Sequence, residues 1–190
     1  MKNLFVLMVL AALLGPALPA NAQGDTTRLE AYGGYGYGRF NINARVNGVP
    51  PTQNLNANGG GGQLEYNAND WLGTVGDVSG YSVPTSTAHE HGLSYLFGPR
   101  VNFRHRHSKV TPFTQILFGG VLSNDGIGHF GPENHFAMAA GGGVDLKVSK
   151  HISVRPVQAE YFMTTFPNGL DDRQNNFRYS AGIVFRFGRV

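Results

Sequence analysis

Apolar and polar positions alternate with a period of two along much of this chain, in segments of about ten residues separated by turn-rich stretches. The segment FRYSAGIVFRF is the clearest case: Phe177, Tyr179, Ala181, Ile183, Phe185 and Phe187 share one face, and Arg178, Ser180, Gly182, Val184 and Arg186 the other. In YLFGPRVNFR, Tyr95, Phe97, Pro99, Val101 and Phe103 oppose Leu96, Gly98, Arg100, Asn102 and Arg104. FAMAAGGGVDLK sets Phe136, Met138, Ala140, Gly142, Val144 and Leu146 against Ala137, Ala139, Gly141, Gly143, Asp145 and Lys147. Successive side chains of a strand point to opposite faces, so each segment is a strand with one apolar and one small or polar face.

Eight such strands are predicted, at residues 28–40, 61–67, 71–81, 92–104, 110–121, 134–147, 152–163 and 175–188. Residues 67–70, 105–109 and 148–151 read as short polar turns, and 41–60, 82–91, 122–133 and 164–174 as longer loops. Short turns at one end and long loops at the other predict an all-β fold, an eight-stranded antiparallel up-and-down transmembrane β-barrel. Alternation alone would equally suit a soluble sandwich or a lipocalin-like barrel. Tyr and Phe near the strand ends favour the membrane, where aromatic girdles mark the interfaces. The opposite face, rich in Gly and Ala with a few charges, would make a poor hydrophobic core.

Composition sharpens this picture. The 190 residues include no cysteine, 14% charged residues and 12% aromatic residues, which predicts one domain without disulfides. Lys2, the apolar run Phe5 to Gly15 and the small-x-small site Ala20-Asn21-Ala22 predict a cleaved secretory signal peptide over residues 1–22, leaving 23–190 as the barrel domain. Without Lys2 there are 14 basic and 12 acidic residues and no Lys/Arg run, so nucleic acid is not an expected partner.

With these motifs in order, the chain resembles the OmpA-type eight-stranded outer membrane β-barrel family. The resemblance rests on the signal peptide, GGYGYG in the first strand, LGTVGDVSG in the third, QAEYF in the seventh and the closing GIVFRFG. It departs from the family in that its last aromatic, Phe187, is not the final residue, and the peptidoglycan-binding domain of some relatives is not found before Val190. The resemblance implies an outer-membrane location, a monomer, contact with outer-membrane lipids and lipopolysaccharide, and handling by periplasmic chaperones and the barrel assembly machinery.

A lone buried charge is costly, so charges on the lumen face should pair. Strand direction predicts three cross-strand pairs: Glu30 with Arg186, Asp77 with Arg100, and Glu160 with Arg178. Glu65, Asp145 and Arg104 extend the lower layer. These groups would fill the barrel structurally, or one pair could open a narrow gated pore for ions or small solutes. Five residues fit this scheme poorly: Trp71, Val75, Phe113 and Leu117 fall on the lumen face, and strand parity points Arg155 outward.

Other chemistry is weaker. His89, His91, His129 and His135 lie in or beside predicted loops and could supply metal ligands, but no spacing matches a zinc motif, and no cofactor is expected. Ser86, His89, Asp125, His129 and Asp171 are rim residues without the spacing of a triad or carboxylate pair, so the chain is not expected to be an enzyme. The glycines of EAYGGYGYGRF do not form G-x-G-x-x-G, because Arg39 stands where the last glycine would be, and no helix pattern follows. The stretch is instead a strand with Tyr35 and Tyr37 toward lipid, and Arg39 outward at its top, where it could meet a lipopolysaccharide phosphate. The Asn- and Gly-rich residues 41–60 are expected to form an exposed loop suited to surface interaction, as in an adhesin.

Overall fold

The computed structural model describes residues 27–43, 52–84, 89–105, 108–124, 133–165 and 173–188. They form eight strands: β1 (Leu29–Asn43), β2 (Thr52–Asn67), β3 (Leu72–Pro84), β4 (His89–Asn102), β5 (Val110–Asn124), β6 (Glu133–Lys147), β7 (Ile152–Thr164) and β8 (Gln174–Phe187). Each strand pairs antiparallel with its sequence neighbour, and β1 pairs with β8 to close the barrel. Closure leaves no free edge, so the glycine-rich β1 and β2 each have hydrogen-bonding partners on both sides.

The distribution of side chains is the reverse of a soluble protein's. Among the described residues, 22 polar or charged residues are buried against 11 hydrophobic ones. Outside, Phe97, Ile116, Phe118, Phe177, Ile183 and Phe185 are all exposed. An apolar exterior around a polar interior suits a wall that faces lipid.

The strands run further into the expected loops, β3 to Pro84, β4 from His89 and β5 to Asn124, and two differences go deeper. The first predicted loop is largely strand, because β1 and β2 stay paired from Leu29↔Tyr66 up to Asn43↔Thr52. Asn and Gly suggest a loop when propensity is read alone. Here β1 and, from Asn58 on, β3 offer ladder partners, and Asn56 and Asn58 face out while Ala57 is buried. The glycines also answer a packing demand: a Cβ at Gly59 would lie 1.9 Å from the Gly80 carbonyl oxygen. Gly59→Ala is therefore expected to destabilise the barrel by about 1–3 kcal/mol. Gly33→Ala, whose Cβ would meet no heavy atom within 4 Å, should be close to neutral. Urea unfolding of both variants in the same lipid checks the contrast.

The second difference lies in β7. The β7–β8 register shifts between Arg155 and Gln158, so Pro156 and Val157 both face outward. Proline has no N–H for the ladder, and the extra residue is accommodated as a bulge. Below the bulge Ser153 and Arg155 point inward; above it Gln158, Glu160, Phe162 and Thr164 do. Arg155, expected outside by uninterrupted parity, is therefore a lumen residue only 1% exposed.

Candidate functional site

The lumen gathers the chain's buried charges in layers. Lowest, Arg104 Nη2 lies 2.9 Å from Glu30 Oε1, and Arg186 Nε lies 3.7 Å from Glu30 Oε2. Glu30 and Arg186 are Cα partners across β1 and β8, yet the shorter contact comes from Arg104, just past the end of β4. Asn67 Nδ2 also donates to Glu30, at 3.3 Å.

The middle layer is built around two arginines that cross the barrel. Arg100 Nη1 donates to Glu65 Oε2 at 2.6 Å, its Nε to Gln115 at 2.8 Å, and its Nη2 to Gln63 at 2.5 Å. Arg155 holds Asp145 through Nε at 2.7 Å and Nη2 at 3.0 Å, while its Nη1 donates to Gln63 at 2.7 Å and Gln158 at 2.8 Å. The Phe113 ring lies 4.2 Å from the Arg100 guanidinium carbon and 4.4 Å from that of Arg155, and the Tyr32 ring 4.5 Å from the latter. Aromatic faces attract cations, so Phe113 on the lumen face serves the plug as a stacking partner.

Above them, Arg178 Nε donates to Glu160 Oε2 at 2.7 Å, and its Nη1 to Asp77 Oδ1 at 3.1 Å from β3. Glu160 also accepts from Gln115 at 2.7 Å and Gln158 at 2.9 Å, and Asp77 from Gln63 at 2.9 Å. The predicted pairing of Asp77 with Arg100 does not form. In the β3–β4 register Asp77 faces Leu96 and Arg100 faces Gly73, so the two are well separated along the strands. Pairing does not follow strand adjacency: Arg178 on β8 reaches Asp77 on β3 and Arg100 on β4 reaches Glu65 on β2, while Tyr32, Tyr81 and Ser79 lie over Gly34, Gly36 and Gly61 of the β1–β2 wall.

An apolar cluster of Val75, Leu96, Leu117, Val121, Ala137, Ala139 and Phe162 fills another part of the lumen, with Phe40 packed against it. Val75 and Leu117, which fit a charged lumen face poorly, belong here. Trp71 does not: it lies before β3 and is 55% exposed. Phe40 meets Tyr81 and Phe162 edge-on, at centroid distances of 5.6 and 6.3 Å. Between Tyr81 and Tyr32, a cavity of about 10 Å³ borders Gly36, Asp77 and Arg178, the room of a single water.

With Arg155 included, the described lumen holds five acids (Glu30, Glu65, Asp77, Asp145, Glu160) and five arginines (Arg100, Arg104, Arg155, Arg178, Arg186). Arg155, Gln63, Gln115 and Gln158 were missing from the sequence-derived set. The parity of β2, β5 and upper β7 put the glutamines on the lumen face, and Pro156 was the one local sign of the bulge that turns Arg155 inward.

Outside the lumen, Arg39 is exposed on β1, opposite Asn56 of β2 and Phe177 of β8. His89 and His91 belong to β4 rather than to a loop, because they pair with Pro84 and Ser82. His135 lies on β6, opposite Val121. Among the described residues no three His, Asp or Glu side chains come together as a metal site. Ser86, Asp125, His129 and Asp171 lie outside the described residues.

The profile of the outer membrane protein beta-barrel domain matches residues 8–187. The chain belongs to this family. Among solved structures, this outer membrane barrel is similar to Neisserial surface protein A (NspA), at 12% identity and a TM-score of 0.61, covering 85% of this chain and 98% of that one. It is similar to OprG of Pseudomonas aeruginosa at 12% identity and a TM-score of 0.60, covering 88% and 99% respectively. It is also similar to Ail, the attachment invasion locus protein of Yersinia pestis, at 16% identity and a TM-score of 0.50, covering 84% and 99%. At these identities the likeness establishes the fold alone. No curated protein sequence matches the chain significantly. Family membership supports an outer-membrane location for the barrel.

Proposed function

We propose that this outer membrane barrel has a structural and surface-interaction role, is not an enzyme, and keeps its lumen closed. The observation that carries this reading is the crossing of the lumen by Arg100, Arg155 and Arg178, each held by partners on more than one strand. An eight-stranded barrel has an interior just wide enough for side chains, and these fill it. The β1–β2 hairpin carries outward Asn56, Asn58 and Arg39, polar groups suited to the outer surface. Arg39 is the residue proposed to meet a lipopolysaccharide phosphate. The wider reading includes a cleaved signal over residues 1–22, delivery by periplasmic chaperones, insertion by the barrel assembly machinery, and a monomer in the membrane. Of the three similar structures, Ail has been crystallised with a heparin analogue. An anionic surface ligand is accordingly a reasonable first probe for this chain's outer rim.

A narrow gated pore is the second reading, favoured by the small cavity beside Arg178 and Asp77. Planar-bilayer recording separates the two. The closed-barrel reading expects no conductance steps from the wild type. It expects none from Glu160→Ala either, because Arg100 and Arg155 still span the layer beneath. Reproducible steps from the wild type would establish the pore.

A further inference from the structure

Beyond Lys2 the chain has three lysines, Lys109, Lys147 and Lys150, and all three lie at the end of the barrel that carries the short turns. Lys109 precedes β5, Lys147 ends β6 and Lys150 sits in the β6–β7 turn. The Lys147 amide donates to the Lys109 carbonyl at 2.7 Å, so the two turns lie side by side. His105 flanks them on the β4 side and His151 on the β8 side, and Arg28 stands just before β1. Arg28, His105, Lys109, Lys150 and His151 are exposed and Lys147 is half-buried. The nearby acids Glu30 and Asp145 point into the lumen and are held by arginines there. Asp70, in the β2–β3 turn, adjoins the arc's flanks, where its carbonyl accepts from Arg104 at 3.3 Å, and does not lie between the two turns that carry the lysines.

The depth of these cations is fixed by what adjoins them. Val110 follows Lys109 and Leu146 precedes Lys147, with exposures of 43% and 37%, and Ile152 and Phe103 are exposed beside the same turns. On a lipid-facing wall such side chains mark where hydrocarbon ends, so the lysines stand at the height of headgroup phosphates. Their stems can lie along apolar surface while the ammonium groups reach the phosphates. Short turns face the periplasm in outer-membrane barrels. We propose that this arc, centred on Lys109, Lys147 and Lys150, binds the phosphates of anionic phospholipids in the periplasmic leaflet, with phosphatidylglycerol as the probe.

The test uses the mature chain refolded in nanodiscs of phosphatidylethanolamine with about a quarter phosphatidylglycerol, and counts retained lipids by native mass spectrometry. Phosphatidylglycerol is expected to be enriched over phosphatidylethanolamine at low salt, and the enrichment to collapse near half-molar salt, where exposed charges are screened. Each of K109Q, K147Q and K150Q should lower the enrichment by about fivefold at low salt, and the triple variant should abolish it. R173Q, which removes an exposed cation just before β8 at the opposite end, should retain it. Enrichment absent from the wild type, undiminished in the folded triple variant, or lost equally in R173Q would overturn the proposal. Should the triple variant not refold, a wild-type enrichment insensitive to salt overturns it as well.

Discussion

Arg155→Ala is expected to destabilise the barrel by about 3–5 kcal/mol, the range for removing one partner of a buried ion pair. The size follows from what the guanidinium does. It makes two bonds to Asp145, bonds to Gln63 and Gln158, and packs against Tyr32 and Phe113. The truncation leaves Asp145, 3% exposed, without its cation. Arg155→Lys should recover only part of the loss, since one ammonium cannot hold both Asp145 oxygens while reaching Gln63 across the barrel. Equilibrium urea unfolding in vesicles, with heat-modifiable gel mobility as the check on folding, measures both. Had Arg155 lain on the lipid face near the periplasmic interface, as strand parity implied, Arg155→Ala would have been neutral or stabilising.

Why that position misled the sequence reading, while most others did not, is a matter of what alternation encodes. Facing direction is a local property, so Phe177 to Phe187 and Tyr95 to Arg104 point as their parity requires. Period-two parity also accumulates along a strand, and the single extra residue at Pro156–Val157 reverses the meaning of every position before it. The extent of β2 was hidden for a different reason. Asn and Gly carry little strand propensity, and their order comes from β1 on one side and, from Asn58 on, β3 on the other, which no window along the chain contains. Ion pairing was the least legible feature. Glu160 and Arg178 are Cα partners on adjacent strands and sit 2.7 Å apart, as adjacency suggests. Arg100 and Asp77 find their charged partners across the lumen, on β2 and β8, which no comparison of adjacent strands contains.

The same crossing pattern explains how a polar interior can be stable. A charge withdrawn from water must recover its solvation from fixed partners, and half-satisfied networks are worse than apolar cores. Gln63, Gln115 and Gln158 solve this by accepting from arginines and donating to carboxylates. Gln115 accepts from Arg100 and donates to Glu160; Gln158 accepts from Arg155 and donates to Glu160. Gln63 takes bonds from both Arg100 and Arg155 and gives one to Asp77. The glutamines thus join three ion-pair groups into one network, so losing Arg100, Arg155 or Arg178 is felt beyond its own carboxylate.

Arg178→Ala provides the sharpest test of that network, because it strands two carboxylates at once. Glu160 and Asp77 are each 3% exposed, and without Arg178 they keep only neutral donors, Gln115 and Gln158 for one and Gln63 and Ser79 for the other. The expected loss is at least the roughly 3–5 kcal/mol of a single broken buried pair. Removing the charges together should behave differently. In Arg178→Met with Asp77→Asn and Glu160→Gln, no buried charge is left uncompensated, the Phe162 ring keeps an apolar neighbour, and Gln115 and Gln158 retain acceptors. Replacing a complete buried ionic set by neutral groups of similar volume is often close to neutral, so the triple variant should regain most of the lost stability. Unfolding midpoints of Arg178→Ala, Arg178→Met and the triple variant, compared in one lipid, decide the matter. If Arg178→Met alone matches the triple variant, the cost comes from lost packing rather than from stranded charge. A triple variant well above the single one means that the charges of this lumen are held in place chiefly by one another.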